Sequence, residues 1–183
     1  ARDLLPRARP IAEEIKADIL ERGVDARGVL TQRYGSDALD ASLLLAVLTR
    51  FLPPDDPRIR ATVLAIAEEL TEDGLVLRYR VEETDDGLAG EEGTFTICSF
   101  WLVSALVEIG EISRARHLCE RLLSFASPLH LYAEEIEPRT GRHLGNFPQA
   151  FTHLALINAV VHVIRAEEES DSSGVFQPAN APM

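Results

Sequence analysis

Basic residues are in short supply in this chain of 183 residues, with 18 Lys and Arg against 30 Asp and Glu and a formal net charge of −12. Nucleic-acid backbones are bound by clustered Lys and Arg that release counterions. The charge therefore argues against nucleic acid as a partner, and equally against an anionic membrane surface. Apolar runs are short too: none approaches the roughly 18–20 residues that span a bilayer. The start carries no signal-peptide pattern, so no membrane partner is expected and a cytoplasmic setting is. Cysteine is limited to Cys98 and Cys119, both inside helical patterns, where free buried thiols are expected rather than a disulfide. No CxxC occurs, and His117, His130, His143, His153 and His162 form neither HExxH nor HxH. That argues against a metalloenzyme, and no cofactor is expected. Eleven Gly and ten Pro are too few for a collagenous or disordered chain.

What is present is helical periodicity. Residues 10–22 place Ile11, Ile15 and Ile19 four apart, and Gly23 ends the run. Residues 38–52 are apolar nearly all round and stop at Pro53-Pro54. Asp56 and Pro57 supply an N-cap and a first helical residue for 57–72, which has Ile59, Val63, Ile66 and Leu70 on one side. After Gly74 the segment GLVLRYR alternates like a short strand, and an acidic loop follows at 82–92. The pattern then repeats, with an apolar helix at 94–109 and an amphipathic one at 112–126. Residues 129–144 read as irregular or extended, 148–167 as a third apolar helix, and 170–183 as a loose tail.

Helices apolar on every side must be buried on every side, and those with one stripe cover them. The apolar helices recur every 52–57 residues or so, longer than the common helical repeats of about 34–47 residues. The alternation predicts an all-α toroid fragment with inner helices at 38–52, 94–109 and 148–165. Outer partners fall at 10–22, 57–72 and 112–126. A four-helix bundle is the alternative and would need the three apolar helices to share one core. In the toroid, the loops YGSD, AGEEG and GNFPQ gather at one end and line a pocket.

Carboxylates cluster at Glu82-Glu83, Asp85-Asp86, Glu91-Glu92 and Glu134-Glu135. For 82–86 the plain reading is a solvated loop. Glu134-Glu135 differs, lying between Tyr132 and Ile136 just before an inner helix. A loop carboxylate beside aromatic side chains can activate water, though taken alone such a pair serves structure more often than catalysis. Tyr34, Tyr79, Phe95, Phe100, Trp101, Tyr132, Phe147 and Phe151 give a sugar-binding composition, with Trp101 better placed for core packing. Arg78 could contact sugar hydroxyls or pair with Glu82 or Glu83.

The stretches YGSDALDASLLL (34–45), FLPPDDPR (51–58), EGTFTICSFWLVSAL (92–106) and LYAEEIEPRTGRHLGNFPQAFTHLALIN (131–158) resemble the bacterial glucoamylase-like glycoside hydrolases. This is the fifteenth glycoside hydrolase family, with glucoamylase, glucodextranase and trehalase members, and the resemblance runs from about residue 10 to about 168. It implies the C-terminal half of an (α/α)6 toroid, with three inner and outer helix pairs in residues 1–169. It also implies hydrolysis of α-linked glucosides with inversion, an α-glucoside or oligosaccharide as substrate, and β-glucose as product. The family's general base falls on Glu134 within Ala133-Glu134-Glu135, leaving Glu135 to orient or pack. Arg78 and Glu92 are the candidates for hydroxyl contacts. Trehalase and glucoamylase members share the base motif, so the resemblance leaves the substrate open, with trehalose as the second choice.

Inversion needs a second carboxyl roughly 6.5–9.5 Å away as acid, and the family carries it in an upstream Trp- and Glu-containing loop. The single Trp here is Trp101. The expectation is therefore one part of a longer enzyme, inactive alone. Its open ends would pair with the missing N-terminal part or with another copy. A non-catalytic helical scaffold that binds protein along its concave face is the competing reading.

Overall fold

The structure, a computed structural model, describes residues 5–80 and 93–174. Helix α1 spans Leu5–Arg22, and a 3₁₀ turn at Ala41–Leu44 leads into the single turn α2, Leu45–Leu48. Helix α3 spans Pro57–Glu69, followed by strands β1 (Thr71–Glu72) and β2 (Leu75–Val76). Strand β3 (Thr94–Phe95) runs into α4 (Thr96–Glu108), and α5 follows at Ile112–Ser124. Strands β4 (Glu135–Ile136) and β5 (His143–Leu144) precede α6, Ala150–Gly174.

Helix α4 is the centre. Cys98, Ser99, Phe100, Leu102, Val103, Ser104, Ala105 and Leu106 are all buried, which leaves the helix no polar face. It packs against α6, α5, the α2 segment, α3 and β2. The α2 segment and α6 share no comparable contact with each other. Among the described residues the middle inner helix thus makes the main contacts with the other two, as in an arc and not in a four-helix bundle. Helix α5 covers from outside, turning Ala115, Cys119 and Leu122 inward at helical spacing. Helix α3 does the same with Ile59, Val63 and Ile66. The chain is all-α, half of an (α/α)6 toroid, with the α2 segment, α4 and α6 inside and α1, α3 and α5 outside.

Several boundaries differ from the sequence expectation for local reasons. Residues 38–52 do not form one helix. Asp40 is extended (φ −142, ψ 135), and its carboxylate accepts the Ser42 N–H at 2.7 Å, so helical geometry starts only at Ala41. At the other end Arg50 takes φ 62, its N–H bonding the Val47 carbonyl and the Phe51 N–H the Ala46 carbonyl. These are the 5→2 and 6→1 bonds of a Schellman stop. The amphipathic helix expected at 57–72 ends at Glu69, because Asp73 and Gly74 both adopt positive φ (45 and 74) and close a hairpin. Its register is Thr71↔Val76 and Glu72↔Leu75, the two-residue turn that matches strand twist.

Helix α1 starts five residues before position 10 and takes Pro10 inside. Ile11 and Ile15 stand exposed on it. Helix α6 runs on to Gly174, past residue 170, while residues 175–183 lie outside the described residues. It is not buried all round either. Thr152, Ala155, Ala159 and Val163 face the core, whereas Phe151 (67%), Leu154 (59%) and Ile157 (59%) lead an exposed stripe continued by Val161 and Ile164.

Asp56 generates the first prediction. Its carboxylate accepts the Arg58 N–H at 2.9 Å and pairs with the Arg58 guanidinium at 2.7 Å. The guanidinium hydrogen bond is the main cause holding the Asp56 carboxyl below its ordinary value. Asp56→Ala should lower stability at pH 7 by about 1 kcal/mol in urea unfolding. A depressed carboxyl contributes fully above its unfolded value near 4 and loses its contribution as pH falls through the lower folded value. The gap between parent and variant should therefore shrink below about pH 4.

Candidate active site

The segment Tyr132-Ala133-Glu134 is fixed from three sides before its carboxylate is considered. The Tyr132 hydroxyl, wholly buried, donates to the Leu122 carbonyl at 3.1 Å, tying the segment to the end of α5. Burial raises this hydroxyl to about 12, so it stays a neutral donor. The Tyr132 ring meets Phe100 of α4 edge-on, with centroids 5.7 Å apart. Its N–H donates to His153 Nε2 at 3.3 Å, and its carbonyl accepts the Gln149 N–H at 3.0 Å. The acceptor role of Nε2 places the His153 proton on Nδ1, which donates to the Gln149 carbonyl at 2.7 Å. The Thr152 hydroxyl donates to the Ala133 carbonyl at 3.1 Å, and the Thr96 N–H to the Glu134 carbonyl at 2.9 Å. The first turns of α4 and α6 thus both hold the loop.

Three antiparallel strands finish the frame. Strand β4 lies between β3 and β5, with Phe95↔Glu135 and Glu135↔Leu144 in register. Adjacent strand residues point to opposite faces, and the two carboxylates separate accordingly. Glu135 turns back to accept the Gly93 N–H at 3.0 Å, holding the entry to β3. Half-buried Glu134 meets the β5–α6 loop, where its Oε2 accepts Asn146 Nδ2 at 3.0 Å and the Asn146 N–H at 3.2 Å.

Arg78 reaches the same end by another route. Its carbonyl accepts the Ala41 N–H at 2.8 Å, and its neighbour Tyr79 bridges to Asp40. The guanidinium lies 4.4 Å from the Tyr79 ring centroid and 5.0 Å from that of Phe95, and donates to the Tyr79 hydroxyl at 2.5 Å. Phe95 is covered by Arg78 and paired in register with Glu135. The starts of all three inner elements therefore converge: Asp40 with Arg78, Phe95 with Thr96, and Glu134 with Asn146. Glu92, with Glu82 and Glu83, lies outside the described residues. Trp101 packs against the core.

Asn146, Gly145 and Asp40 were not singled out from the sequence. The Gly145-Asn146 pair twelve residues after Glu134 is a turn signal, but nothing in the sequence tells which carboxylate the turn meets. Asp40 is a helix cap by composition, and only the fold sets it beside Arg78 and Cys98. The Cys98 thiol is pushed up to about 12, chiefly by burial, with Asp40 adding to the rise and Arg78 opposing it.

An arc of paired helices that holds a half-buried carboxylate against an amide side chain at its loop end is the architecture of a helical-toroid glycoside hydrolase. The chain belongs to the family whose model, Glycosyl hydrolases family 15, matches residues 5–161. Among curated relatives, the trehalase of Mycolicibacterium smegmatis is 94% identical over 175 residues, covering 96% of this chain and 26% of the relative. The trehalase of Mycobacterium tuberculosis is 88% identical over the same length and coverage. That of Thermoplasma volcanium is 41% identical over 81% of this chain and 24% of its own. The chain thus spans about a quarter of the length of these relatives. A solved wild-type glycosidase shares the fold with a TM-score of 0.74 at 23% identity, over 87% of this chain and 45% of its own. A variant glycosidase in complex with glucose aligns at 0.73 and 22% over the same shares.

Cys98 and Cys119 are both free and buried, and burial raises both thiols. The folded protein should leave both unreacted with a disulfide reagent such as DTNB at pH 8, and both should titrate once urea unfolds it. Rapid labelling of native protein would contradict the buried placement.

Proposed function

We propose that this chain supplies the general-base part of an inverting trehalase. The observation that carries the reading is the seating of Glu134: a carboxylate held by a fixed loop, anchored through one oxygen, at the end where three inner elements begin. Glu134 would take a proton from water as the water oxygen bonds to the anomeric carbon. The glycosidic C–O bond breaks on the opposite face, and a carboxylic acid elsewhere in the full-length enzyme protonates the departing oxygen. The names of the relatives favour α,α-trehalose over the glucoamylase substrates that the motifs alone put first. Arg78, over the rings of Tyr79 and Phe95, would meet sugar hydroxyls.

Trehalose makes the stereochemistry readable. The attacked glucose inverts and leaves as β-glucose, while the departing glucose keeps its untouched α configuration. Proton NMR of the first turnovers by the full-length enzyme should show the two anomers in equal amounts. α-Glucose alone would mean retention and overturn the assignment. Glu134→Gln should cut kcat at least about a thousandfold with little change in KM, and wild-type rates in that variant would remove Glu134 from the mechanism. Residues 1–183 by themselves should show no turnover.

The same proposal names a partner for the exposed stripe of α6, namely the remainder of the ring carried by the longer chain. The relatives have nearly four times the matched length, and Phe151, Leu154, Ile157, Val161 and Ile164 form a continuous face at spacings of three and four. A buried Ile side chain is worth about 1.5–3 kcal/mol. Ile157→Ser should therefore destabilise the full-length enzyme by about 2 kcal/mol and leave the urea midpoint of the isolated chain unchanged. Equal effects in both would show that no ring segment covers this face.

A further inference from the structure

Glu134 and Asn146 are joined by three hydrogen bonds, an unusual density for two residues twelve apart. The Glu134 N–H donates to the Asn146 carbonyl at 2.9 Å, which fixes the two backbones. The Asn146 N–H and Nδ2 then both donate to the side chain of Glu134, and both choose the same oxygen, Oε2. A carboxylate with equivalent surroundings turns freely about its last bond, and either oxygen can meet a water. Two donors converging on one oxygen from one residue remove that freedom. Among the described residues Oε1 receives no hydrogen bond, so it remains the acceptor for a ligand or a water.

Gly145 makes the close approach possible. It adopts φ +70, and a Cβ added there would stand 2.8 Å from Glu134 Oε2 and 3.1 Å from Glu134 Cβ. Any larger residue would push the carboxylate off its two donors, besides straining the backbone. Strand register explains why the turn arrives at this point: Glu135 pairs with Leu144, so the next residues along each strand are Glu134 and the Gly145-Asn146 turn.

We propose that Asn146 is a positioning residue: with Gly145 it clamps Oε2 of Glu134 so that Oε1 alone is presented to the attacking water. The inference rests on the reading of Glu134 as general base. Correct placement of reacting groups is worth large factors, with a displacement near 1 Å costing up to about a hundredfold. An interaction that serves the transition state lowers kcat and leaves KM in place.

The test compares four variants of the full-length enzyme on trehalose, each checked for an unchanged unfolding midpoint. Asn146→Asp keeps the shape of the side chain and removes the donor, whereas Asn146→Ser loses volume and keeps a donor. Asn146→Ala removes both. The clamp predicts that kcat falls about 10- to 100-fold in Asn146→Ala and at least as far in Asn146→Asp, with partial recovery in Asn146→Ser and KM within about twofold throughout. A purely structural role predicts the reverse order, with the isosteric Asn146→Asp nearest to wild type, and that result would overturn the proposal. So would wild-type kcat in Asn146→Ala alongside an inactive Glu134→Gln. The fourth variant, Glu134→Gln, separates the two failures, because activity there removes the base assignment itself and the clamp with it.

Discussion

Helix α4 has no face it can show to water, and the rest of the molecule follows from covering it. Phe100, Val103 and Ala105 are fully buried, and Ser99 and Ser104 with them. The Ser99 hydroxyl finds its partner on a covering element: it accepts the Val76 N–H at 2.9 Å, which docks β2 against the helix. With three residues per turn buried and one turn every 3.6 residues, a single neighbouring helix cannot cover such a cylinder. The α2 segment, α3, α5, α6 and β2 each cover a part. Ala155 and Ala159 of α6 are buried with α4.

Covering α4 also places the functional end. Its first residue, Thr96, follows directly on β3, so any segment paired with β3 is brought to the helix N-terminus. Strand β4 is that segment; it carries Glu135, and Glu134 immediately precedes it. Strand alternation then divides the labour, sending Glu135 to the backbone of Gly93 and Glu134 to the loop that opens α6. Tyr132 secures the arrangement from beneath, because its hydroxyl is held by an α5 carbonyl and its ring by Phe100. A carboxylate at the end of short paired strands between two helix starts has little room to wander.

The apolar character of α6 shows how far composition reaches. Apolar residues on all sides of a helix demand cover on all sides, and in this chain one side of α6 has it. Its other side is an exposed apolar stripe, in a chain that spans about a quarter of the length of its relatives. Exposed Ile11 and Ile15 on α1 belong to the same pattern at the other end of the sequence.

The sequence by itself determined the alternation of apolar and amphipathic helices, the cap at Asp56-Pro57, the buried thiols and, through its motifs, the family. These are legible because periodicity, capping and turn chemistry act over a few residues. It misjudged 38–52, where Asp40 competes for the backbone and Arg50 accepts a left-handed conformation whose guanidinium is then paired with Glu108 across the fold at 2.9 Å. Only the tertiary structure decided which carboxylate of Glu134-Glu135 meets the open loop, that Asn146 holds it through one oxygen, and that Arg78 lies over Phe95. Those facts depend on strand register and on contacts between residues tens of positions apart, and no local pattern in a single sequence encodes which partner will arrive.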